Sequence, residues 1–205
     1  MKKLILFPFN GNAIEALDCV SSDFEVIGFV DDASAKQGTS YNGIKVFDRK
    51  LFGQFPEALV LAVPGSPESF QVRDKIITEL KISTERFATI IHPNASISSY
   101  AKIGYNVLVM AGVVITSNAV IENHVCILPN TVVHHDSVIQ EYCLLGSNVT
   151  LAGSSVIEEK CYIGSGASII NGIRIEKGSL IGIGSTVLKS VEANSKVVGN
   201  PGRKI

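Results

Sequence analysis

The sequence lacks the charge pattern of a nucleic-acid-binding protein. It has 18 Lys and Arg against 19 Asp and Glu, which gives a formal net charge of −1 at pH 7. No cluster of basic residues builds a stripe along the chain, and such a stripe is the electrostatic mark of nucleic-acid contact. We therefore expect no nucleic-acid partner.

Long apolar runs and paired cysteine motifs are also missing. No stretch is long enough to span a bilayer, so no membrane partner is expected. Residues 1–12 carry a short apolar run that ends in Asn-Gly-Asn, without the longer apolar region and cleavage site of a signal peptide. The four cysteines, none in a CxxC spacing, are Cys19, Cys126, Cys143 and Cys161. Buried reduced thiols and a cytoplasmic localisation are therefore expected.

The feature that dominates the sequence is a period of six residues. Every sixth position from 97 to 187 is Ile, Val or Leu, sixteen positions without a slip of phase. They are Ile97, Ile103, Val109, Ile115, Ile121, Ile127, Val133, Ile139, Leu145, Leu151, Ile157, Ile163, Ile169, Ile175, Ile181 and Val187. This period fits neither an α-helix nor an amphipathic strand. It indicates a solenoid in which each hexapeptide supplies one short strand and one inward aliphatic side chain.

A small residue usually stands two positions before each of these aliphatics, as in Ala119, Cys143 and Ala167, where it allows a tight corner. This pattern resembles the hexapeptide-repeat acyltransferases, whose parallel β-helix has three hexapeptides per triangular coil. The resemblance implies about five coils of 18 residues and a left-handed β-helix. The handedness comes from the resemblance, because parallel crossovers are normally right-handed.

The first part of the chain alternates strand-like and helix-like segments. Strands are predicted at 3–9, 24–30 and 58–63, helices at 13–20 and 67–81, and a further short strand at 87–91. This alternation predicts an α/β N-terminal domain with a small Rossmann-like parallel sheet.

Ligands of such sheets bind at the carboxyl ends of the strands. The residues expected there are Asn10, Gly11, Asn12, Asp31, Asp32, Pro64, Gly65 and Ser66. The turn at Gly11 is consistent with a phosphate held on backbone N–H groups or with a plain tight turn. The Asp31–Asp32 pair is consistent with ribose or base recognition or with a solvated turn.

An α/β domain that leads directly into an uninterrupted hexapeptide coil is similar to the sialic-acid O-acetyltransferase and nucleotide-sugar N-acyltransferase family of the NeuD/PglD type. The resemblance covers essentially the whole chain. It implies that residues 1–86 hold a nucleotide-linked sugar at the three turns, and that residues 87–205 hold acyl-CoA. Many members have Gly-His at the first turn, whereas this chain has Gly11-Asn12.

The motif that carries chemistry is the run His134-His135-Asp136. A histidine can accept a proton at neutral pH, and a neighbouring carboxylate can orient it. In the family, a His followed by an acidic residue fills these roles, which assigns them to His135 and Asp136. With 18 residues per coil, His135 stacks on Gly153, which allows close ligand approach and offers an N–H for an oxyanion. His134 is left open as catalytic, substrate-binding or structural.

Further residues are expected to contact acyl-CoA. The closing segment resembles that of the family, where backbone and basic side chains lie along CoA, and it supplies Pro201 and Arg203, with a frayed basic tail as the alternative. Two glycine-containing corners near the end of the coil are candidates too, with corners free of ligand as the alternative. These residues are Ser165, Gly166, Gly182, Ile183 and Gly184.

The sequence therefore predicts an acyl-CoA-dependent N-acyltransferase acting on a dTDP- or UDP-linked 4-amino-4,6-dideoxy sugar, as in perosamine or anthrose biosynthesis. A homotrimer with the site between two coils is implied by the family. Two alternatives stay open: O-acetylation of a sugar hydroxyl of the sialic-acid type, and a non-catalytic trimeric scaffold. The sugar amine could also act as its own base. No metal is expected, because His124, His134 and His135 do not match the wide spacing of γ-class carbonic anhydrases.

Overall fold

The computed structural model describes all residues from 1 to 205. The chain begins with a sheet of five strands, β1 (Lys2–Phe7), β2 (Phe24–Val30), β3 (Ser40–Tyr41), β4 (Ile44–Phe47) and β5 (Leu59–Ala62). Their order in the sheet is β3-β4-β2-β1-β5. All neighbouring strands are parallel except β3 and β4, which form an antiparallel hairpin.

The helices that flank this sheet are short. They are α1 (Gly11–Ala16), α2 (Leu51–Gln54) and α3 (Arg73–Thr78). Single 3₁₀ turns lie at Leu17–Cys19, Phe70–Val72 and Thr84–Arg86. None of the helices has the length and apolar character needed to cross a membrane.

Several helices and strands in this part are shorter than the sequence predicts. The helix expected over 67–81 is confined to α3, because residues 66–69 form a turn in which the Ser69 hydroxyl accepts from the Ser66 N–H. The helix expected over 13–20 passes into a 3₁₀ turn after Ala16. Of the strand expected at 87–91, only Ile90–Ile91 is regular, and Phe87 makes a single bridge to Val60.

From Ile90 the chain winds into a three-faced coil of two-residue strands. Its strands are β6 (Ile90–Ile91), β7 (Ser96–Ile97), β8 (Lys102–Ile103), β9 (Leu108–Val109), β10 (Val114–Ile115), β11 (Val120–Ile121), β12 (Cys126–Ile127), β13 (Val132–Val133), β14 (Val138–Ile139), β15 (Leu144–Leu145), β16 (Thr150–Leu151), β17 (Val156–Ile157), β18 (Tyr162–Ile163), β19 (Ser168–Ile169), β20 (Arg174–Ile175), β21 (Leu180–Ile181), β22 (Thr186–Val187), β23 (Lys196–Val198) and β24 (Arg203–Lys204).

The register of the coil confirms the predicted period. Val132 pairs with Val114 on one side and Thr150 on the other, so successive strands of a face are 18 residues apart. This register holds as far as Val187, and the last coil is two residues shorter, because Ile181 pairs with Val197. Face one contains β7, β10, β13, β16, β19 and β22, face two contains β8, β11, β14, β17 and β20, and face three contains β6, β9, β12, β15, β18, β21, β23 and β24. Corner residues such as His124, Asp136 and Ser154 adopt left-handed backbone with φ near +60°.

The periodic aliphatic side chains form one continuous core along the coil. All of them from Val109 to Val187 are at most 2% exposed, whereas Ile97 and Ile103 at the open first coil are half-buried. Burial of this column supplies the main favourable free energy of the coil. The four cysteines are free and buried, as predicted.

The N-terminal sheet packs against face three. The outward residues Leu108, Cys126 and Leu144 of that face are at most 3% exposed and share one apolar cluster with Leu4 and Leu61 of the sheet. The corner that carries His135 lies between faces one and two, because it connects β13 to β14. The N-terminal domain and His135 are therefore on opposite sides of the same coil.

A fully buried arginine joins the two parts of the chain. Arg73 is 0% exposed and has no acidic partner. Its guanidinium donates to the backbone carbonyls of Pro64, His124 and Tyr142, so it ties the turn after β5 to two successive coils. Burial lowers the pKa of the Arg73 guanidinium from its usual value, and the three carbonyls satisfy the charge that burial removes from water.

His124 lies beside this junction as a structural histidine. Its ring stacks on Tyr142 with centroids 4.7 Å apart, and its Nδ1 lies 2.9 Å from Nδ2 of Asn106. Asn106 also pairs with both backbone groups of Ala62, so its amide extends the edge strand β5. Burial, reinforced by the charge of Arg73, lowers the pKa of His124 to about 4.

This environment predicts a loss of stability in acid. Between the ordinary pKa of 6.5 and about 4, the unfolded chain protonates His124 while the folded chain keeps it neutral. The free energy of unfolding should therefore fall by up to about 3 kcal/mol as the pH drops through this window. Urea unfolding curves, recorded at fixed protein concentration between pH 7 and pH 4, measure this change in the free energy of unfolding.

The matched variants are His124→Asn and His92→Asn. Asparagine tolerates the left-handed backbone of position 124, and its side chain does not titrate. His124→Asn should flatten the pH dependence, whereas His92→Asn should leave it as in the wild type. An unchanged slope in His124→Asn would refute the assignment.

Candidate active site

The predicted catalytic pair lies at the corner between faces one and two. The His135 Nδ1 and the Asp136 Oδ2 are 2.7 Å apart, and Asn118 donates from Nδ2 to the Asp136 Oδ1 over 3.0 Å. His135 and Asp136 have side chains that are 62% and 51% exposed, so both are accessible in a single chain. We call the column Ser117, His135, Gly153, Asn171 and Lys189 the His135 edge.

The hydrogen bonds of this pair define the state of the imidazole. The pKa of Asp136 is lowered, first by the hydrogen bond with His135 and then by that from Asn118. Asp136 is therefore a carboxylate at neutral pH and accepts the Nδ1–H of His135. In a neutral imidazole this leaves Nε2 as the acceptor. Such an arrangement suits a general base.

The Nε2 atom lies directly over the next coil at Gly153. A Cβ on Gly153 would approach the His135 Nε2 to 2.6 Å, so only glycine leaves room for the ring in this position. The Gly153 N–H donates no hydrogen bond within the chain. The glycine thus provides both the space and an unpaired donor beside the imidazole.

His134 occupies a different position, on face one beside the corner. Its backbone N–H donates to the Leu151 carbonyl over 2.9 Å, and its half-buried imidazole makes no hydrogen bond within the chain. Ala152, Ile170 and Leu188 follow it at 18-residue steps, and the last two are 42% and 52% exposed. An apolar strip therefore continues from His134 toward the end of the coil.

The His135 edge leads to a cavity of about 510 Å³ at the end of the coil. Three strand spacings separate Lys189 in this cavity from His135, which corresponds to about 14 Å. The cavity has an apolar floor that includes Val187, Val191 and Val197, and the predicted residues Pro201 and Arg203 also line it. The basic residues Lys189 and Lys204 line it as well, together with Glu192, whose carboxylate pairs with Lys204 over 2.9 Å.

The other residues predicted for acyl-CoA lie elsewhere in the same chain. Ser165 and Ile183 occupy the corner between faces three and one, the Ser165 edge, together with Gly166 and Gly184 in left-handed backbone. Gly182 is half-buried at the start of that corner, where a Cβ would meet Val198 at 2.8 Å. One chain therefore does not bring this set together with His135 and Gly153.

The turns after β1 and β5 meet at the carboxyl edge of the N-terminal sheet. Asn10 caps α1 by accepting from the Ala13 N–H, and its Nδ2 donates to the Val63 carbonyl over 3.2 Å. Asn12 donates to the same carbonyl over 3.4 Å, while Gly11 between them is exposed. The two asparagines fix the relative position of these turns.

The predicted acidic pair is already engaged by basic side chains. Asp31 is 5% exposed, and its two oxygens accept from the Ala33 N–H and from Nζ of Lys36. The two oxygens of Asp32 accept from the guanidinium of Arg49 over 2.6 and 2.7 Å. The carboxylates therefore position cations at the strand ends.

Lys36 is a residue that sequence reasoning missed. Its Nζ donates to the Phe9 carbonyl over 2.8 Å and to Asp31 over 2.9 Å, while its side chain is 44% exposed. The lysine therefore presents positive charge beside the Asn10–Asn12 turn. No sequence motif marks it, because its place depends on the loop between β2 and β3.

The third predicted turn is shaped by Arg73. Pro64 is buried and its carbonyl accepts from the guanidinium. Gly65 has a φ of +129°, and a Cβ there would press against the Arg73 side chain at 3.0 Å. The Ser66 hydroxyl lies 2.6 Å from a carboxylate oxygen of Glu68. No group of three or more His, Cys, Asp or Glu side chains is arranged to hold a metal ion.

Comparison with known protein families gives a match over part of the coil. The family profile of the GMPPB C-terminal domain matches residues 87–176. No curated protein sequence matches the chain significantly.

Solved structures match over the whole length. The acetyltransferase domain of PglB from Neisseria gonorrhoeae FA1090 is 23% identical, with a TM-score of 0.89 and complete coverage of both chains. A variant of perosamine N-acetyltransferase from Caulobacter crescentus, in complex with CoA and GDP-perosamine, is 22% identical with a TM-score of 0.88, covering 100% of this chain and 97% of that one. WeeI from Acinetobacter baumannii AYE is 27% identical, with a TM-score of 0.85 and complete coverage of both. The resemblance to left-handed β-helix sugar acyltransferases predicted from the sequence is thus confirmed.

Proposed function

We propose that the chain is an acyl-CoA-dependent N-acyltransferase that acylates a nucleotide-linked 4-amino-4,6-dideoxy sugar. The observation that carries this proposal is the His135–Asp136 pair set against Gly153. It unites a base, its orienting carboxylate and an unpaired N–H donor on the neighbouring coil. Sugar N-acetylation and CoA binding by proteins of the same fold support it.

The proposed reaction is the attack of the sugar amine on the thioester carbonyl. A carbon–nitrogen bond forms, and the oxyanion of the tetrahedral intermediate accepts from the Gly153 N–H. His135 takes the amine proton at Nε2 and returns it to the departing sulfur, which leaves as free CoA thiol. Asp136 holds the Nδ1–H and stabilises the imidazolium between these steps.

The His135 edge gives acyl-CoA a path. With the thioester at Gly153, the cofactor would extend along the coil toward Lys189 and Arg203, whose charges suit its phosphates. The exposed Ile170 and Leu188 run beside this path and provide apolar contact for the pantetheine arm. The length of about three strand spacings is comparable to that of such an arm.

A second copy of the chain is needed to complete the proposed site. The N-terminal domain covers face three, whereas His135 lies at the opposite corner. The Ser165 edge lies between faces three and one, whereas Gly153 lies at the corner between faces one and two. Half-buried outward valines such as Val132 and Val138 flank His135 on faces one and two, and they provide apolar surface for a neighbouring coil. A homotrimer that brings these edges together is the arrangement we propose.

The nucleotide-linked sugar is proposed to bind at the carboxyl edge of the N-terminal sheet. Asn10 and Asn12 provide polar groups there, and Lys36 provides charge for the diphosphate. Asp31 and Asp32 act by holding Lys36 and Arg49. The nucleotide is proposed to be dTDP or UDP, and GDP-linked sugars belong in the same assay.

The substitution His135→Ala tests the central residue. It should lower kcat for CoA release by about 10²–10⁴-fold, because the general base is lost. The measurement is thiol release from acetyl-CoA and longer acyl-CoAs with UDP-, dTDP- and GDP-linked 4-amino sugars. Turnover that survives unchanged would favour an amine that serves as its own base. In the wild type, CoA release only with sugars that offer a free hydroxyl would favour O-acetylation. No CoA release with any pair of substrates would favour a scaffold.

The substitution Gly153→Ala tests the space beside the imidazole. Its new Cβ would displace Nε2 of His135, and kcat/KM for acyl-CoA should fall by about 10²-fold. The backbone of Gly153 is not left-handed, so alanine adds no backbone strain, and the melting temperature should stay close to that of the wild type. Gly53→Ala, which meets no atom within 4 Å, is the control. Full activity in Gly153→Ala would contradict the arrangement.

Mixed assemblies test whether two copies form one site. A His135→Ala chain and a Lys36→Glu chain, each weakly active alone, are co-expressed with different tags and purified through both. If the histidine and the sugar site come from different copies, some interfaces pair the intact His135 of one chain with the intact Lys36 of the other. The activity of the mixed assembly should then rise well above the summed activities of the two variants. A mixed assembly with only the summed activity would place the whole site in one chain.

A further inference from the structure

Asn118 stands one coil before Asp136 on the same corner. Its Nδ2 donates to the Asp136 Oδ1 over 3.0 Å, and the Asp136 Oδ2 lies 2.7 Å from Nδ1 of His135. Each oxygen of the carboxylate thus has its own partner. The three side chains form a continuous hydrogen-bonded series that ends at the imidazole.

The corner backbone makes this contact possible. Asn118 and Asp136 both adopt left-handed backbone, with φ of +61° and +58°, and the 18-residue register stacks them. Ser154, the next residue of this column, makes no side-chain hydrogen bond to Asp136, and His135 is the only charged or titratable side chain paired with that carboxylate. Asn118 is therefore the one group that holds Asp136 from the side away from His135.

We propose that Asn118 is a positioning residue for the proposed acyl transfer, acting through Asp136 on the orientation of His135. This inference rests on the proposed function. The terminal torsion of an aspartate has a broad energy profile, and Asp136 is half exposed, so a single hydrogen bond to His135 would leave the carboxylate free to rotate. The amide of Asn118 limits that rotation and keeps one oxygen facing Nδ1.

Two substitutions separate this role from a structural one. Asn118→Gly removes the amide while the left-handed backbone stays unstrained, because glycine adopts it readily. It should lower kcat by about 10-fold, with unchanged KM for both substrates and an unchanged melting temperature. Asn118→Asp keeps the shape but replaces the N–H donor by an acceptor.

The aspartate variant should show a distinctive pH dependence. Two carboxyl groups about 3 Å apart share a proton in acid, because both cannot ionise easily at that distance. The protonated carboxyl donates to Asp136 as the amide does, so activity is retained at low pH. As the pH rises the shared proton is lost, and the two carboxylates repel each other. The ratio of variant to wild-type kcat/KM should therefore fall between about pH 5 and pH 7.

The same pair of substitutions at Asn194 provides the control. Asn194 has the same left-handed backbone, with φ of +56°, on a different corner, and its side chain donates no hydrogen bond. Asn194→Gly and Asn194→Asp should leave kcat and its pH dependence as in the wild type. Wild-type kcat in Asn118→Gly, or a flat ratio in Asn118→Asp, would overturn the inference while leaving the proposed function intact. Full turnover in His135→Ala would overturn the inference and the role of His135 as base, whereas no CoA release by the wild type with any amino sugar would overturn the proposed function.

Discussion

The in-register stacking of 18-residue coils is the constraint on which the rest of the structure depends. As far as Val187, parallel hydrogen bonding pairs each strand with the one 18 positions later, and a continuous column of buried aliphatic side chains holds that register. A slip of one residue would turn every inward side chain outward. The same register aligns Asn118 with Asp136 and His135 with Gly153, so the core and the candidate site follow from a single repeat.

The second constraint is the attachment of the N-terminal domain to one face of the coil. Apolar residues such as Leu108 and Cys126 are buried there, and the guanidinium of Arg73 links the turn at Pro64 to two coils. This attachment fixes the carboxyl edge of the N-terminal sheet, where we propose that the nucleotide-linked sugar binds, on the side away from His135. In the proposed assembly, a neighbouring chain would bring the two halves of the proposed site together.

Much of the fold could be predicted because the period of six is a strong and long signal. The column from Val109 to Val187 and the pairing of His135 with Gly153 follow from counting in steps of 6 and 18. The interactions at the N-terminal strand ends could not be predicted in this way. The partners of Asp31 and Asp32 depend on irregular loops, and Arg73 reaches carbonyls far away in sequence. The hairpin formed by β3 and β4 was missed, although Asn42-Gly43 is a common hairpin turn.

The most direct test of the account is a crystal structure of this chain with acyl-CoA. We expect the thioester to lie between Nε2 of His135 and the N–H of Gly153, with the phosphates near Lys189 and Arg203. The Ser165 edge of a second copy should cover the other side of the cofactor. Acyl-CoA bound at another corner, or contained within one chain away from His135, would contradict the central claim that the His135 edge is an acyl-transfer site.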